Sequence, residues 1–316
     1  MERRTALITG GSGYLGNHLA KELNLKGWEV VTLDRKTCNN KYVHSHFRGD
    51  VRDAEILMQI FETYVIDTVF HLAGRIEVGE SFKDPTLFYD VNLGGTCKLL
   101  HMMKLYGVKN IVYSSSAAVY KQQGRNLKED DEIAHNSPYG YTKYASEWAI
   151  RDSDINYVIF RYFNLAGADP ENEFGESHNP ETHLIPRILQ NLNNVQIYGK
   201  DYFTNDGTCI RDYVHVCDVA AAHVDGANYL NAGGSSSILN LGTGVGYSVL
   251  EIIGKIEEVT QQKITYNILP RRPGDPTRLV ADINLAEKVL NYRPKHDIIS
   301  ILQTAYNWQV KENGKL

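Results

Sequence analysis

Thr5-Ala6-Leu7-Ile8-Thr9-Gly10-Gly11-Ser12-Gly13-Tyr14-Leu15-Gly16 is the stretch on which the rest of the chain is arranged. Thr5 to Thr9 reads as a short buried strand, rich in aliphatic and β-branched residues. Gly10, Gly13 and Gly16 follow at a spacing of three, and Leu15, Leu19 and Leu23 then recur every fourth residue, the stripe of an amphipathic helix closed by Gly27. The glycines therefore sit on a strand-to-helix turn, where unpaired helix N–H groups favour an anion. Without side chains the backbone can approach a pyrophosphate, and helix can pack closely on strand. A second strand, Trp28 to Leu33, ends in Asp34, 18 residues after Gly16, where an acid can accept the adenosine ribose hydroxyls of a dinucleotide. A glycine triplet alone also fits a tight turn that binds nothing. The strand before, the helix after and the acid beyond favour a cofactor cradle of Gly10, Gly13, Tyr14, Leu15, Gly16 and Asp34.

The chain has 316 residues, 42% hydrophobic and 22% charged, ordinary values for a globular protein. Its net charge is −5 and no basic block offsets this, which argues against a nucleic-acid partner. No apolar run approaches the roughly 18 residues needed to span a bilayer, and no signal region precedes the first strand. Cys38, Cys97, Cys209 and Cys217 form no CxxC pair; they read as reduced, buried thiols of a cytoplasmic protein, with no disulfide or zinc framework and no metal ligands assigned.

Strand patterns at Thr5–Thr9, Trp28–Leu33, Asp67–Leu72, Asn110–Tyr113 and Asn156–Arg161 alternate with helical ones, including Ala54–Tyr64, Pro85–Tyr106 and Tyr139–Arg151. Such alternation predicts an α/β fold with a doubly wound, parallel, Rossmann-type sheet. Asp50-Val51 close a short extended piece at the adenine end. Leu72 ends a strand that Ala73-Gly74 follow, at the edge where ligands gather in such sheets. From Asn164 onward prolines, glycines and polar residues increase, as at Asn179-Pro180 and Gly233-Gly234-Ser235-Ser236-Ser237. This predicts a dinucleotide-binding domain over 1–165 and a smaller mixed α/β lobe over 166–316, with a soft boundary. Ile238–Leu241 is a candidate strand returning to the first sheet, and Ser248 to Glu251 is a capping box opening a helix.

Ser137-Pro138 opens a further helix, serine as N-cap and proline in the first turn. Tyr139 and Lys143 lie four apart on one face of it. A lysine near a phenol stabilises the phenolate and lowers its pKa, as a general base needs. The pair also suits an exposed helix surface with no function, but it follows a strand ending in Ser114-Ser115-Ser116, whose last hydroxyl is placed to bond a sugar oxygen or the tyrosine.

The glycine turn, Ser116 and Tyr139-x-x-x-Lys143 together resemble the extended short-chain dehydrogenase/reductase superfamily. Within it, Tyr198-Gly199-Lys200-Asp201-Tyr202-Phe203-Thr204-Asn205-Asp206-Gly207-Thr208-Cys209-Ile210-Arg211-Asp212-Tyr213-Val214-His215-Val216 is similar to a signature of the UDP-glucose 4-epimerase family. Arg161-Tyr162-Phe163-Asn164, His183-Leu184-Ile185-Pro186 and Arg271-Arg272-Pro273-Gly274-Asp275 match further segments of it. The resemblance implies NAD as cofactor and a UDP-sugar as substrate, with Tyr139, Lys143 and Ser116 catalytic. Arg211 and Arg272 would grip the diphosphate, since guanidinium forks pair with phosphate oxygens at two points. Asn164 would donate to the same diphosphate, Asp275 would accept from the uridine ribose, Leu184, Gln196 and Tyr198 would line the uracil and ribose, and Tyr213 would join the substrate set. Arg271 reads better as a solvated residue and His215 as a core one.

The chain departs from the family in three places: Thr142 replaces the serine usual before the lysine, Ala118 stands where some epimerases carry a threonine, and Arg75-Ile76 occupies a loop where some carry lysine. The implied reaction is 4-epimerisation of UDP-hexoses through a transient 4-keto sugar. A 4,6-dehydratase would carry an Asp-Glu where Ala117 and Ala118 stand. A uronate epimerase would need a cation for the C6 carboxylate, and a non-catalytic NAD-binding regulator can lose the tyrosine–lysine pair that this chain keeps. In the family the side chain at Leu279 faces the sugar's 2-substituent, a tyrosine excluding N-acetyl groups; leucine leaves that selectivity open. The resemblance also implies a homodimer built on helices Pro85–Tyr106 and Tyr139–Arg151, with Leu99, Met103, Trp148 and Ile150 as candidate contacts.

Overall fold

Aliphatic runs bounded by glycine and aspartate form the strands of the first unit, and amphipathic runs form its helices. The computed structural model describes residues 3–134, 136–178, 180–272, 274–312 and 314. Pro273 of the Arg-Arg-Pro-Gly-Asp run and Asn179 of the Asn-Pro loop lie outside the described residues. In chain order come β1 (Thr5–Thr9), α1 (Tyr14–Leu25), β2 (Glu29–Asp34), β3 (Ser45–Arg48), α2 (Ala54–Thr63), β4 (Thr68–His71), α3 (Val78–Lys83), α4 (Pro85–Phe88), α5 (Gly95–Leu105), β5 (Asn110–Ser116), α6 (Pro138–Arg151) and β6 (Asn156–Tyr162). The later elements are β7 (Asn164–Ala166), α7 (Leu184–Gln190), β8 (Val195–Tyr198), β9 (Ile210–His215), α8 (Val216–Asn231), β10 (Ser237–Leu241), β11 (Gly246–Ser248), α9 (Val249–Thr260), β12 (Tyr266–Leu269), β13 (Arg278–Leu279), α10 (Asn284–Leu290) and α11 (Ile298–Glu312).

Seven strands form one sheet in the order β10-β6-β5-β4-β1-β2-β3. β1 pairs in parallel with both β2 and β4, so the chain reverses its winding between β1 and β4. In a doubly wound sheet that reversal opens a crevice at the strands' C-terminal ends. Leu7, Val31, Val69, Ile111 and Ile159 are buried in one apolar core with Leu57, Ile60, Leu99 and Met103. The expected strands are present to within a few residues, and the strand expected at Ile238–Leu241 joins the sheet as β10. The helix expected over Pro85–Tyr106 is interrupted by a π-helical turn, Tyr89–Gly94.

The two compact units are interleaved rather than divided once near residue 165. The first holds Met1–Val119, Ile133–Arg161 and Ala220–Leu239; the second holds Tyr120–Glu132, Tyr162–Val219 and Asn240–Leu316. Leu127 bridges to Ala281, and the Tyr120 hydroxyl donates to Asn240 at 2.6 Å, pairings that draw the 120–132 excursion into the second unit. That unit is built on β9, flanked by β11 on one side and β13 on the other, with β7 also pairing β9; β8 and β12 form a separate ribbon. Its core holds Ile185, Ile197, Tyr213, Ile252, Ile256 and Ile301.

Two expectations are corrected. Only Cys209 is buried; Cys97 lies on the exposed face of α5, and Cys38 and Cys217 are half-buried, all four as free thiols. Leu99, Met103 and Ile150 were expected to face a partner but are fully buried in their own unit, because the sheet needs those side chains as its cover. Trp148 remains exposed, with Tyr89 and Tyr141. Among the described residues no helix is long and apolar enough to cross a membrane.

Candidate active site

The glycine turn sits at the reversal of the sheet, and its lack of side chains is a packing requirement. Gly10 has φ +78°, and a Cβ there would stand 2.8 Å from the amide nitrogen of Ala73, in the loop after β4. A Cβ on Gly16 would collide with the Gly10 carbonyl. Gly13 is the N-cap of α1 and has no side chain to satisfy the first-turn N–H groups, which leaves them for an acceptor from outside. Tyr14 and Leu15 open the helix. The Asp34 carboxylate ends β2 and is oriented from both sides, accepting from the Ser12 amide at 3.0 Å and the Lys36 amide at 2.9 Å. This uncapped helix start, glycine cradle and fixed acid fit a dinucleotide. After β3, Val51 is buried, whereas Asp50 is held by Arg52 at 2.7 Å, and that guanidinium lowers its pKa. Leu72, Ala73 and Gly74 follow β4, and a Cβ on Gly74 would lie 3.0 Å from Asn92 Oδ1 and 3.7 Å from Lys143 Nζ.

Ser116 ends β5, and Tyr139 and Lys143 lie on the first turns of α6, whose N-cap Ser137 accepts from the Gly140 amide at 3.1 Å. Burial raises the pKa of the Tyr139 phenol, and the Ser116 hydroxyl acts in the opposite direction. The Lys143 ammonium donates to the Ser114 carbonyl at 2.6 Å and lies 5.0 Å from the centre of the Tyr113 ring. Burial pushes Lys143 down to about 8, with Glu147 pulling the other way. Phe88 meets the Tyr139 ring edge-on, and the Arg75 guanidinium covers Phe88.

In the second unit the register of β9 gathers several of the expected substrate residues. Asn164 of β7 pairs with Tyr213, and Leu279 of β13 pairs with Arg211. Arg211 is buried and forms an ion pair with Asp275, which also accepts from the Tyr202 hydroxyl at 3.0 Å. Burial raises the pKa of Tyr213, so it stays a neutral phenol. On β8, Tyr198 donates to Gln196 at 3.1 Å, and the Arg272 guanidinium lies 4.1 Å from the centre of the Tyr198 ring. Leu184 is the first residue of α7. Arg271 pairs with the exposed Asp201 at 2.7 Å, and His215 is fully buried, bonded to Thr304 at 3.0 Å.

Three groups were missing from the sequence reading. Asn92, in the π turn, is buried; its amide oxygen accepts from the Arg75 amide at 2.7 Å, and its nitrogen donates to Thr142 at 3.0 Å. It joins the loop after β4 to the helix carrying Tyr139, and the signal was an amide in an otherwise apolar helical face. Glu147, one turn beyond Lys143, is buried and paired with Arg161, with Ser115 donating to it. Arg187 reaches Gln196 at 3.2 Å.

Residues 6–242 match the NAD dependent epimerase/dehydratase family. The chain is 43% identical to the UDP-glucose 4-epimerase of Lacticaseibacillus casei over 96% of each chain. It superposes on the UDP-glucose 4-epimerase of Brucella ovis, solved in complex with NAD, with a TM-score of 0.92 at 38% identity, covering 97% of this chain and 98% of that one. The enzyme of Bifidobacterium longum, solved with NAD+ and UDP, gives 0.92 at 36% identity over 99% and 100%. The chain belongs to the NAD dependent epimerase/dehydratase family, among its UDP-glucose 4-epimerases.

Proposed function

We propose that the chain is an NAD-dependent epimerase that interconverts UDP-glucose and UDP-galactose by inverting C4 of the sugar. The observation that carries this reading is the buried Tyr139 phenol with Lys143 one helical turn away on α6, in a chain of this family whose β5 ends at Ser116. NAD, when bound, supplies a reversible hydride acceptor, which makes a 4-keto sugar accessible. The turn Gly10–Gly16 would hold its pyrophosphate and Asp34 its adenosine ribose, with Asp50, Val51, Leu72, Ala73 and Gly74 lining the rest.

Tyr139 takes the proton from the 4-hydroxyl and later returns it, and Ser116 steadies both the phenol and the sugar oxygen. Lys143 stabilises the phenolate by its charge and binds the nicotinamide ribose. Burial that raises the pKa of an uncharged phenol makes such a nearby cation necessary. Arg211, Arg272 and Asn164 anchor the diphosphate. Asp275 takes the uridine ribose, and Leu184, Gln196, Tyr198 and Tyr213 complete the pocket. Anchoring by UDP leaves the keto sugar free to present its other face.

Ala117 and Ala118 remove the acid–base pair of a 4,6-dehydratase. Four free thiols suit a reducing cytoplasm. Incubation of the purified chain with UDP-galactose should yield UDP-glucose. Formation of a 4-keto-6-deoxy sugar, or no turnover, would reject the assignment. Denaturation should release NAD rather than NADP, because Asp34 repels a 2′-phosphate.

Selectivity at the sugar's 2-position is assigned to Leu279, smaller than tyrosine and free to change rotamer. We expect the plain hexoses to turn over better than their N-acetylated forms. Leu279→Tyr should suppress N-acetyl turnover and spare the others; unchanged ratios would remove Leu279 from this role.

A further inference from the structure

In the second unit, residues just before α7 bring together two imidazoles and two carboxylates to which the sequence reading gave no chemical role. Ligand atoms of Glu176, His178, Glu181 and His183 all lie within 4.8 Å of one another. His178 Nδ1 is 3.4 Å from Glu176 Oε1 and 3.5 Å from Glu181 Oε2, and His183 Nδ1 contacts the same Glu176 oxygen. A tetrahedral zinc ion with bonds of about 2.0–2.2 Å has neighbouring ligands about 3.3–3.6 Å apart. Two edges of the cluster already have that length.

The Glu181 carboxylate is oriented by backbone amides, and Glu176 is anchored through its main chain. Glu176 is 8% exposed, and its backbone carbonyl accepts from the Trp308 indole at 3.3 Å, which ties this residue to α11. Glu181 Oε1 accepts from the amides of Thr182 at 2.8 Å and His183 at 2.9 Å, which leaves Oε2 on the side of His178. Such supporting bonds fix the direction of a ligating oxygen.

We infer that Glu176, His178, Glu181 and His183 form a structural site for a divalent transition metal of the zinc class. Two imidazole nitrogens and two carboxylate oxygens match that class, and four protein ligands close the coordination shell, which suits a structural role rather than Lewis-acid chemistry. All four come from one eight-residue segment, so the ion would staple that segment at the start of α7, a gain in stability linked to binding. Without metal the same cluster holds protons, and the carboxylates push His178 up to about 9.

The test uses the full-length, tag-free protein stripped with a chelator. Co2+ should bind with one saturable visible absorption band of four-coordinate intensity, Zn2+ should bleach it, and Zn2+ should raise the Tm. His178→Gln and His183→Gln should each lose the band and the Tm shift, whereas His101→Gln, an exposed histidine of α5, should keep both. On the parent chain, Zn2+ should protect His178 and His183 from diethylpyrocarbonate, read by peptide mass, which does not depend on any variant folding. Absence of a saturable band, its persistence in the His178→Gln/His183→Gln double variant, its loss in His101→Gln, or unprotected histidines would leave an imidazolium–carboxylate network and overturn the site.

Discussion

Tyr139→Phe removes one oxygen and no packing volume. It should lower epimerisation in both directions by about a hundredfold to ten-thousandfold, the usual contribution of a general base, while UDP binding by calorimetry stays near the parent's. Activity close to the parent's would move the base elsewhere, with Ser116 next. A second prediction concerns His71, which is buried between Thr9 and Thr96 at 2.7 and 2.9 Å. Burial pushes it down to about 3, and the Lys143 charge acts in the same direction. The unfolded chain, with a histidine near pH 6.5, therefore takes up a proton that the folded chain refuses between those two values. Stability should fall as pH drops below about 6.5, by up to about 1.4 kcal/mol per pH unit. Urea unfolding of the parent and of His71→Gln, compared from pH 7 to 5, checks this: the variant should show the shallower slope, and equal slopes would contradict it. At this scale the ends of β2 at Asp34 and of β5 at Ser116, and the Ser137-capped start of the helix that carries Tyr139 and Lys143, were legible because residue type and spacing mark them. Glu147 and Arg161 were not recognised as partners, because an ion pair between a helix and a strand leaves no local pattern.

Helix α9 shows how local signals become legible elements. The Ser248 hydroxyl accepts from the Glu251 amide at 3.0 Å, and the Ser248 amide donates to Glu251 Oε2 at 2.7 Å, the capping box read from four residues. The same hydroxyl donates to Asp206, which no local pattern announces. Ser248→Ala should cost about 1–2 kcal/mol in urea unfolding, from the lost cap and the carboxylate left short of a donor. A change of a few tenths would show that backbone and solvent replace the cap. The π turn at Tyr89–Gly94 was illegible for the opposite reason. Its buried Asn92 is held by Arg75, 17 residues away, and by Thr142, 50 residues away, so tertiary contacts and not periodicity accompany that turn.

For the whole molecule we expect a homodimer, resting on the exposed aromatic side chains of the π turn and α6. Tyr89 and Tyr141 pack against each other at 5.8 Å, and Trp148 lies two turns beyond Tyr141. Sedimentation at micromolar concentration should give twice the chain mass, and Trp148→Asp should shift it toward one; a monomeric parent would defeat the prediction. The first sheet was legible from alternating strands and helices. The excursion of residues 120–132 was not, since its pairings with Asn240 and Ala281 span 120 to 155 residues. The same interleaving bears on how the chain is made. Strand β6 ends at Tyr162, but β10, which covers its outer edge, begins at Ser237. A ribosome working at about 5–20 residues per second needs about 4–15 s to supply those intervening residues. During that interval a nascent sheet carrying Val158, Ile159 and Phe160 waits with an open edge, the period in which a holdase has most to protect.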